Sequence, residues 1–254
     1  MNSQSSYDSF KKSPIRSIKH STYFQVYDSL FSRYIGKEFT FVEVGIFNGG
    51  SLRIWRDYFG DKARIIGIDI NENALKHQED GFEIYIGDQS DPNFWQSFFN
   101  KVGEVDILLD DGGHTYEQQI ITTVNSLPYI KENGILVVED VHTSYMREYG
   151  GTSKFSFIEY TKLLIDKISY RFHGLKKESK SDKKIFSIQI FESIVALHIN
   201  RDKCSLKSKE VINDGKKMPE DYFVNKKYDF VRNLKFFAFL KSKIRLLKVI
   251  KYFK

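Results

Sequence analysis

Residues 43–51 read Glu-Val-Gly-Ile-Phe-Asn-Gly-Gly-Ser and close a short apolar run, Phe39–Val44. A buried strand that ends in glycines before a helix is typical of the first turn of a ligand-binding parallel sheet, because glycine allows close backbone approach. The spacing is Gly-x-x-x-Gly-Gly, whereas dinucleotide-binding proteins use Gly-x-Gly-x-x-Gly. Glu43 would repel a pyrophosphate but would suit an ammonium group. The turn predicts a ligand site without a pyrophosphate cradle, with a plain strand–helix turn as the alternative.

Short apolar runs alternate with amphipathic stretches along the next hundred residues. Each run is rich in β-branched or aromatic residues and is closed by a glycine or an acid, as strands are. The stretches between them have helical spacing. This alternation predicts an α/β fold, a mostly parallel sheet covered on both faces by helices, with the strand ends at one edge. The predicted strands are 39–44, 64–70, 82–86, 105–109 and 135–138, and the predicted helices are 51–58, 92–99 and 116–130.

The pattern changes on either side of this core. Apolar residues at helical spacing predict a helix over residues 23–34, and a further helix is predicted over residues 155–170. Residues 185–199 predict a closing pair of antiparallel strands, which would complete a seven-stranded, Rossmann-like sheet. The predicted divisions are an N-terminal arm and helix (1–35), the sheet domain (36–200) and a basic C-terminal extension (201–254).

Polar residues follow the second and third predicted strands. Asp69 comes 24 residues after Gly45 and can accept hydrogen bonds from both hydroxyls of a ribose. Asp88 or Gln89, after the third strand, can bind an adenine amino group. Helix capping is the alternative role for these acids. Glycines after the first strand and acids after the next two together predict an adenosine-containing ligand.

Two pairs of acids, each followed by a histidine, end the fourth and fifth predicted strands. Residues 110–114 read Asp-Asp-Gly-Gly-His, and residues 139–142 read Glu-Asp-Val-His. Adjacent carboxylates are costly unless a cation or solvent compensates them. Because both strands end at the same edge, the oxygen-rich cluster suits Mg²⁺, while no cysteine–histidine spacing argues for zinc. Helix capping and solvent exposure are the alternatives.

These motifs together, over residues 36–200, resemble the class I S-adenosylmethionine (AdoMet) methyltransferases. Residues 40–150 resemble more narrowly the Mg²⁺-dependent sugar O-methyltransferases, which include macrolide-glycoside and rhamnosyl O-methyltransferases and the cephalosporin-hydroxylase-like group. The resemblance implies the class I methyltransferase fold, AdoMet with S-adenosylhomocysteine as its product, and Mg²⁺ as cofactor.

The resemblance also implies roles for individual residues. His142 is the favoured general base, because the related sugar enzymes place a base just after the acid pair, and His114 is the other candidate. One of the two acids after the fourth strand would join the acid pair after the fifth in holding the metal. The implied metal ligands are Asp110, Asp111, Glu139 and Asp140. The implied AdoMet contacts are Glu43, Gly45, Asn48, Gly49, Ser51, Asp69, Asp88, Gln89 and Asp110.

The acceptor implied by the resemblance is a sugar hydroxyl, and we expect a sugar or an activated surface-polysaccharide (capsule) precursor. A phosphoramidate oxygen on a nucleotide-activated capsule precursor is one alternative, since Mg²⁺ also suits an anionic substrate. A Rossmann-type oxidoreductase and a non-catalytic binding module are alternatives from other classes. The glycine spacing argues against the first, and the acid clusters with their histidines argue against the second.

The charge of the chain is concentrated in its last fifth. The net charge is +6, with −4 over residues 1–200 and +10 over residues 201–254. Residues 230–254 predict a basic amphipathic helix that would contact an anionic membrane surface, pack as a terminal helix or support a homo-oligomer. No RNA-binding module is visible, so we expect no nucleic-acid partner. A single cysteine, Cys204, and the lack of a long apolar run favour a cytoplasmic protein, with peripheral membrane contact as an option.

Overall fold

A seven-stranded sheet forms the centre of the part that the computed structural model describes, residues 5–150, 154–175 and 180–215. Its strands are β1 Phe39–Val44, β2 Ala63–Asp69, β3 Glu83–Ile86, β4 Val105–Asp110, β5 Ile130–Val138, β6 Ile185–Phe191 and β7 Ile194–Ile199. They lie in the order β3-β2-β1-β4-β5-β7-β6. The first five run parallel, and β7 is antiparallel to both of its neighbours.

Seven α-helices flank the sheet in the described residues, and local sequence sets several of their ends. The fourth begins with a proline, and the Asp91 carboxylate caps it by accepting from the Asn93 amide at 2.9 Å. The fifth begins with a capping box between Thr115 and Gln118. The helices are α1 Ser6–Lys12, α2 Tyr23–Phe31, α3 Gly50–Phe59, α4 Pro92–Val102, α5 Tyr116–Ser126, α6 Phe157–Ser169 and α7 Arg201–Ser205.

Side-chain alternation along the strands creates a core on each face of the sheet. On one face Phe41 of β1 packs against Phe31 of α2 and Trp55 of α3, with ring centroids 6.2 Å and 5.2 Å away. On the other face Val42 belongs to a core that includes Trp95 of α4 and residues of α6. Helices therefore cover both faces, as predicted.

The predicted α/β class, with its mostly parallel seven-stranded sheet and antiparallel closing pair, is confirmed. Several boundaries differ from the prediction, most clearly at the end of α5. The helix predicted to continue to residue 130 ends at Ser126, a 3₁₀ turn spans Leu127–Tyr129, and β5 begins at Ile130. Pro128 lacks an amide proton and cannot continue the helical hydrogen bonds, which explains the earlier end.

The described residues up to Ser208 form one compact unit, and Lys209–Lys254 form a second unit. Residues 209–215 of the second unit have no regular secondary structure. The helix predicted over residues 230–254 lies outside the described residues, so the proposed roles of the basic extension stay predictions. None of the helices in the described part of the chain is long and apolar enough to cross a membrane.

Candidate active site

A cavity of about 860 Å³ lies at the edge where β1 to β4 end, the edge at which the sequence predicts a ligand. Residues from the loops after all four strands form its wall. Its lining includes Gly45, Asn48, Asp69, Asp88, Gln89, Asp111 and His114.

Two glycines shape the turn after β1. Gly45 has φ +86°, and a Cβ there would overlap the main-chain carbonyl of Asp111. Glycine is therefore required for the close approach of this turn to the loop after β4. Gly49, with φ +72°, precedes α3, and a Cβ there would collide with the His77 ring. The Gly49 backbone packs against His77 and is absent from the described lining of the cavity.

Asp69 ties the turn after β1 to the end of β2. One of its carboxylate oxygens accepts from the amides of Ile46 and Phe47, at 3.1 Å and 3.0 Å. The other accepts from the Asn71 amide at 2.9 Å. Asp69 thus shapes the glycine turn and also presents its carboxylate at the cavity wall, where the sequence predicts it.

Gln89 and Asp110 form a buried polar pair behind the cavity. Gln89 donates to Asp110 Oδ1 at 2.9 Å and to Thr122 at 3.0 Å, and it accepts from the Gly113 amide at 2.8 Å. Burial raises the pKa of Asp110 to about 6. Asp88 lines the cavity and accepts from the amide and hydroxyl of Ser90.

Glu43 is fully buried beneath the glycine turn. Its carboxylate accepts from the Ser51 hydroxyl at 2.7 Å and from the Trp55 indole nitrogen at 3.1 Å. Burial raises its pKa to about 7, and the nearby ammonium of Lys19 opposes this shift. The structure does not bring Glu43 to the wall of the cavity, so its predicted contact with an ammonium group of the ligand stays a prediction.

Replacing Glu43 with glutamine will flatten the pH dependence of stability. The pKa of Glu43 is about 7 in the folded state against an ordinary 4.5, so the folded state keeps a proton that the unfolded chain has lost. The contribution of Glu43 to the free energy of unfolding therefore falls as the pH rises from 4.5 to 7 and is constant above pH 7. Glu43→Gln will be more stable than the wild type at pH 8 by about 1–3 kcal/mol in urea titrations.

The exposed Glu83, which pairs with Arg64 at 2.7 Å, provides the matched control. Glu83→Gln will change stability by less than about 1 kcal/mol, because exposed ion pairs contribute little. A Glu43→Gln protein less stable than the wild type at pH 8 would contradict the prediction.

A second cavity, of about 380 Å³, adjoins the first. The two share Gly45, Phe47, Asn48 and Asp111, so they meet at the glycine turn and at the loop after β4. Ser51, predicted as a ligand contact, lines only the smaller cavity. Its opposite wall is the irregular segment between α1 and α2, with Arg16, Ser17, Ile18 and Lys19.

Strand register explains which acids meet. Asp110 pairs with Val138 in the sheet, so Asp111 and Glu139 are the next residues on neighbouring strands. Since side chains alternate, Asp111 and Glu139 lie on the face of the sheet that α2 covers, whereas Asp110 lies on the opposite face. There it accepts from Gln89, which also donates to Thr122 of α5. The structure brings Asp111, and not Asp110, to the predicted metal cluster.

The residue between these two acids is Lys19, from the segment that precedes α2. Its ammonium group lies 2.5 Å from Asp111 Oδ2 and 2.9 Å from Glu139 Oε2. Only 7% of the Lys19 side chain is exposed, and Glu139 is fully buried. Burial raises the pKa of Glu139 to about 8, while the charge of Lys19 opposes the shift. The two acids and the lysine form a buried charge cluster.

His114 and Asp140 meet beside this cluster. His114 Nε2 lies 3.4 Å from Asp140 Oδ2. Both residues have left-handed backbones, with φ +60° and +55°, which is uncommon outside glycine and typical of functional loops. His114 also lines the larger cavity, and its Nδ1 is buried without a hydrogen-bond partner among the described residues.

His142 lies on the far side of Asp140. Its Nδ1 is 2.5 Å from the Ser193 hydroxyl and 3.9 Å from Asp140 Oδ1. The Tyr23 hydroxyl donates to Asp140 and lies 2.9 Å from Ser193 Oγ. His142 does not line either cavity among the described residues.

The donor atoms at this edge suit a metal ion. Potential ligand atoms of Asp111, His114 and Asp140 lie within 4.8 Å of one another, and so do those of His20, Asp140 and His142. Asp140 is common to both sets. Carboxylate oxygens are donors for Mg²⁺ and Mn²⁺, whereas imidazole nitrogens suit transition-metal ions such as Zn²⁺ and Fe²⁺.

Four residues of this site were not predicted from the sequence. Lys19, His20 and Tyr23 come from the N-terminal arm, and Ser193 comes from the turn between β6 and β7. Lys19, His20 and Ser193 lie outside helices and strands, where residues have no periodicity, so no sequence signal marks them as part of a site. The N-terminal arm places Lys19 against Asp111 and Glu139.

Residues 42–141 match the family model of a methyltransferase domain. The matched segment runs from β1 to the turn after β5, and so contains the ends of all five parallel strands. This segment is therefore similar to a methyltransferase domain, and the sheet has the class I methyltransferase fold.

Two named relatives are O-methyltransferases. The 8-demethyl-8-alpha-L-rhamnosyl tetracenomycin-C 2'-O-methyltransferase of Streptomyces olivaceus is 33% identical over 138 residues, covering 51% of this chain and 36% of that protein. The mycinamicin VI 2''-O-methyltransferase of Micromonospora griseorubida is 29% identical over 187 residues, covering 68% and 44%. The chain thus spans less than half the length of these relatives.

A solved structure of similar fold is the MycE methyltransferase from the mycinamycin biosynthetic pathway, in complex with Mg, SAH and mycinamycin VI. It aligns with a TM-score of 0.66 at 22% identity, over 82% of this chain and 54% of that one. The likeness supports the assignment of the fold.

Proposed function

We propose that this protein transfers a methyl group from AdoMet to a hydroxyl oxygen of a sugar, with a divalent cation at the acid cluster. The observation that carries the proposal is that two cavities meet at Asp111, beside His114. One cavity is available for the methyl donor and the other for the acceptor. The names of the relatives, which are sugar-directed O-methyltransferases, favour the same reaction.

The larger cavity is the proposed donor site. Bound AdoMet supplies an electrophilic methyl group. Asp69 would bind the ribose hydroxyls, while Asp88 and Gln89 would bind the adenine. The backbone of the turn at Gly45 and Asn48 would hold the amino-acid part of the ligand. Holding donor and acceptor at attack distance accounts for much of the rate in such displacements.

The proposed metal ligands are Asp111, Glu139 and Asp140. A divalent cation bound there supplies Lewis acidity, which lowers the pKa of a coordinated hydroxyl. The chain's own groups fit this role, since the three acids come from adjacent strand ends and potential ligand atoms of Asp111, Asp140 and His114 lie within 4.8 Å of one another. Mg²⁺ prefers oxygen ligands, which this set supplies.

His114 is the proposed general base. It contacts Asp140 through Nε2, so the carboxylate orients the ring and stabilises its protonated form. The imidazole ring of His114 would take the proton of the acceptor hydroxyl. The sequence favours His142 as the base, but His142 bonds Ser193. His114 lies on the wall of the larger cavity, so the structure favours His114.

The acceptor is proposed to be a sugar hydroxyl, and more narrowly an activated capsule precursor. Arg16 on the wall of the smaller cavity favours an acceptor that carries a phosphate, as a nucleotide-activated sugar or phosphoramidate does. Initial rates with neutral glycosides and with nucleotide-activated sugars will separate these acceptors. A preference for neutral glycosides, unaltered in Arg16→Gln, would contradict the narrower proposal.

Calorimetric titration tests the proposed donor directly. The protein will bind AdoMet and S-adenosylhomocysteine at micromolar concentrations or below, in the range of about −8 kcal/mol. It will not bind NAD⁺, because the glycine turn lacks the dinucleotide spacing. Absence of binding by either adenosyl ligand, with and without Mg²⁺, would overturn the proposed function.

A further inference from the structure

We propose that Lys19 competes with the divalent cation for Asp111 and Glu139, and so sets the affinity of the site for metal. The inference rests on the metal site of the proposed function. Its basis is the placement of the Lys19 ammonium group, 2.5 Å and 2.9 Å from one oxygen of each acid. These two acids belong to the set that the sequence predicts as metal ligands.

The Lys19 ammonium group and a divalent cation cannot bind the same carboxylate oxygens at once. Mg²⁺ binds carboxylate oxygens at about 2.0–2.1 Å. An ammonium group hydrogen-bonded to the same oxygens would remain within a few ångströms of the ion, and like charges at that distance repel strongly in a buried site. Metal binding to Asp111 and Glu139 therefore requires the Lys19 side chain to leave.

The charges explain why the lysine occupies this position. Glu139 is fully buried and Asp111 is about four-fifths buried, so two adjacent carboxylates without a cation would be costly. The Lys19 ammonium compensates both and also lies 5.8 Å from the centre of the Tyr27 ring. The lysine thus compensates the charge of both acids and competes with the ion for their oxygens.

Release of Lys19 would also change the smaller cavity. Lys19 lies in a segment without helix or strand between α1 and α2, and residues 16–19 of that segment form a wall of this cavity. The same segment contacts the start of α3, where the Ser13 hydroxyl donates to the Gly50 carbonyl at 3.3 Å. Metal occupancy and the width of the proposed acceptor cavity are therefore coupled.

The first test measures metal affinity in the full chain. Lys19→Met keeps the aliphatic stem and removes the charge, so Mn²⁺ titrations followed by electron paramagnetic resonance will give binding about tenfold tighter, or more, than the wild type. Lys12→Met is the matched control, because Lys12 is exposed and contacts Asp57 at 3.5 Å, and its affinity will equal the wild type. Equal or weaker Mn²⁺ binding by Lys19→Met, or none by either protein, would overturn the inference.

The second test uses the wild type and does not depend on a variant that folds. Trypsin will cleave after Lys19 faster when Mg²⁺ is added, because the side chain leaves its buried position, while cleavage after the exposed Lys12 serves as the internal reference. A rate at Lys19 that Mg²⁺ does not raise relative to Lys12 would overturn the inference. Binding of S-adenosylhomocysteine in the same samples reports separately on the proposed function.

Discussion

Asp69→Ala is expected to abolish measurable binding of S-adenosylhomocysteine, with a loss of affinity of about 100-fold or more. Asp69 accepts hydrogen bonds from the backbone amides of Ile46 and Phe47 and lines the larger cavity. The substitution therefore releases the glycine turn and removes the proposed hydrogen-bond acceptor for the ribose. Hydrogen bonds to a charged group are worth about 1.5–3 kcal/mol each, and two of them account for this loss. Calorimetric titration of the variant against the wild type measures it.

Asp91→Ala is the control for this experiment. Asp91 is also a loop aspartate that accepts backbone amides, but it caps α4 and is not among the described residues that line either cavity. Its loss will cost about 1 kcal/mol of stability through the helix cap and leave the affinity unchanged. A folded Asp69→Ala protein that binds S-adenosylhomocysteine as tightly as the wild type would remove Asp69 from the donor site.

The fold was largely predictable from the sequence because each element carries its own local signal. The run Phe39–Val44 is apolar throughout and is closed by glycine, and β1 has these bounds in the structure. The start of β5 was missed by five residues because residues 131–134, Lys-Glu-Asn-Gly, are polar. This part of β5 pairs irregularly with β4, so its strand character comes from tertiary pairing rather than from hydrophobicity.

The site was predictable only in part, because strand ends carry a signal and side-chain direction does not. The sequence places acids after β4 and β5, at the edge where ligands bind in parallel sheets. It does not determine whether Asp110 or Asp111 turns toward Glu139, since this depends on the register between the strands. The approach of Lys19 spans 120 residues to Glu139, and no local pattern encodes a contact of that separation.

The N-terminal arm also shows that the sequence predicts helices better than it predicts polar contacts. Its helix α2 was predicted from the spacing of apolar residues, which pack into one core. The polar Tyr23 at the start of that helix instead donates to Asp140, and the apolar pattern says nothing about this contact. The polar residues that contact a site can therefore be identified only once the packing of the apolar residues is known.

His114→Gln is expected to lower kcat by about 10²–10⁴-fold, the usual contribution of a general base. The reason is position: His114 lines the proposed donor cavity and lies 3.4 Å from Asp140, which would stabilise its protonated ring. Initial rates at saturating AdoMet, with an acceptor from the screen of glycosides and activated sugars, measure the effect. Binding of S-adenosylhomocysteine will change little, because glutamine keeps the volume of the side chain.

His142→Gln is the matched comparison, since both histidines flank Asp140. His142 bonds Ser193 and is not among the described residues at either cavity, so its substitution will lower kcat by less than about tenfold. The reverse ranking, with the larger loss in His142→Gln, would assign the base to the position that the sequence favours. It would also mean that the acceptor approaches from the side of His20, whose ring lies 5.9 Å from that of His142 and which shares a potential metal set with it. The two variants together therefore locate both the base and the direction from which the acceptor reaches the methyl group.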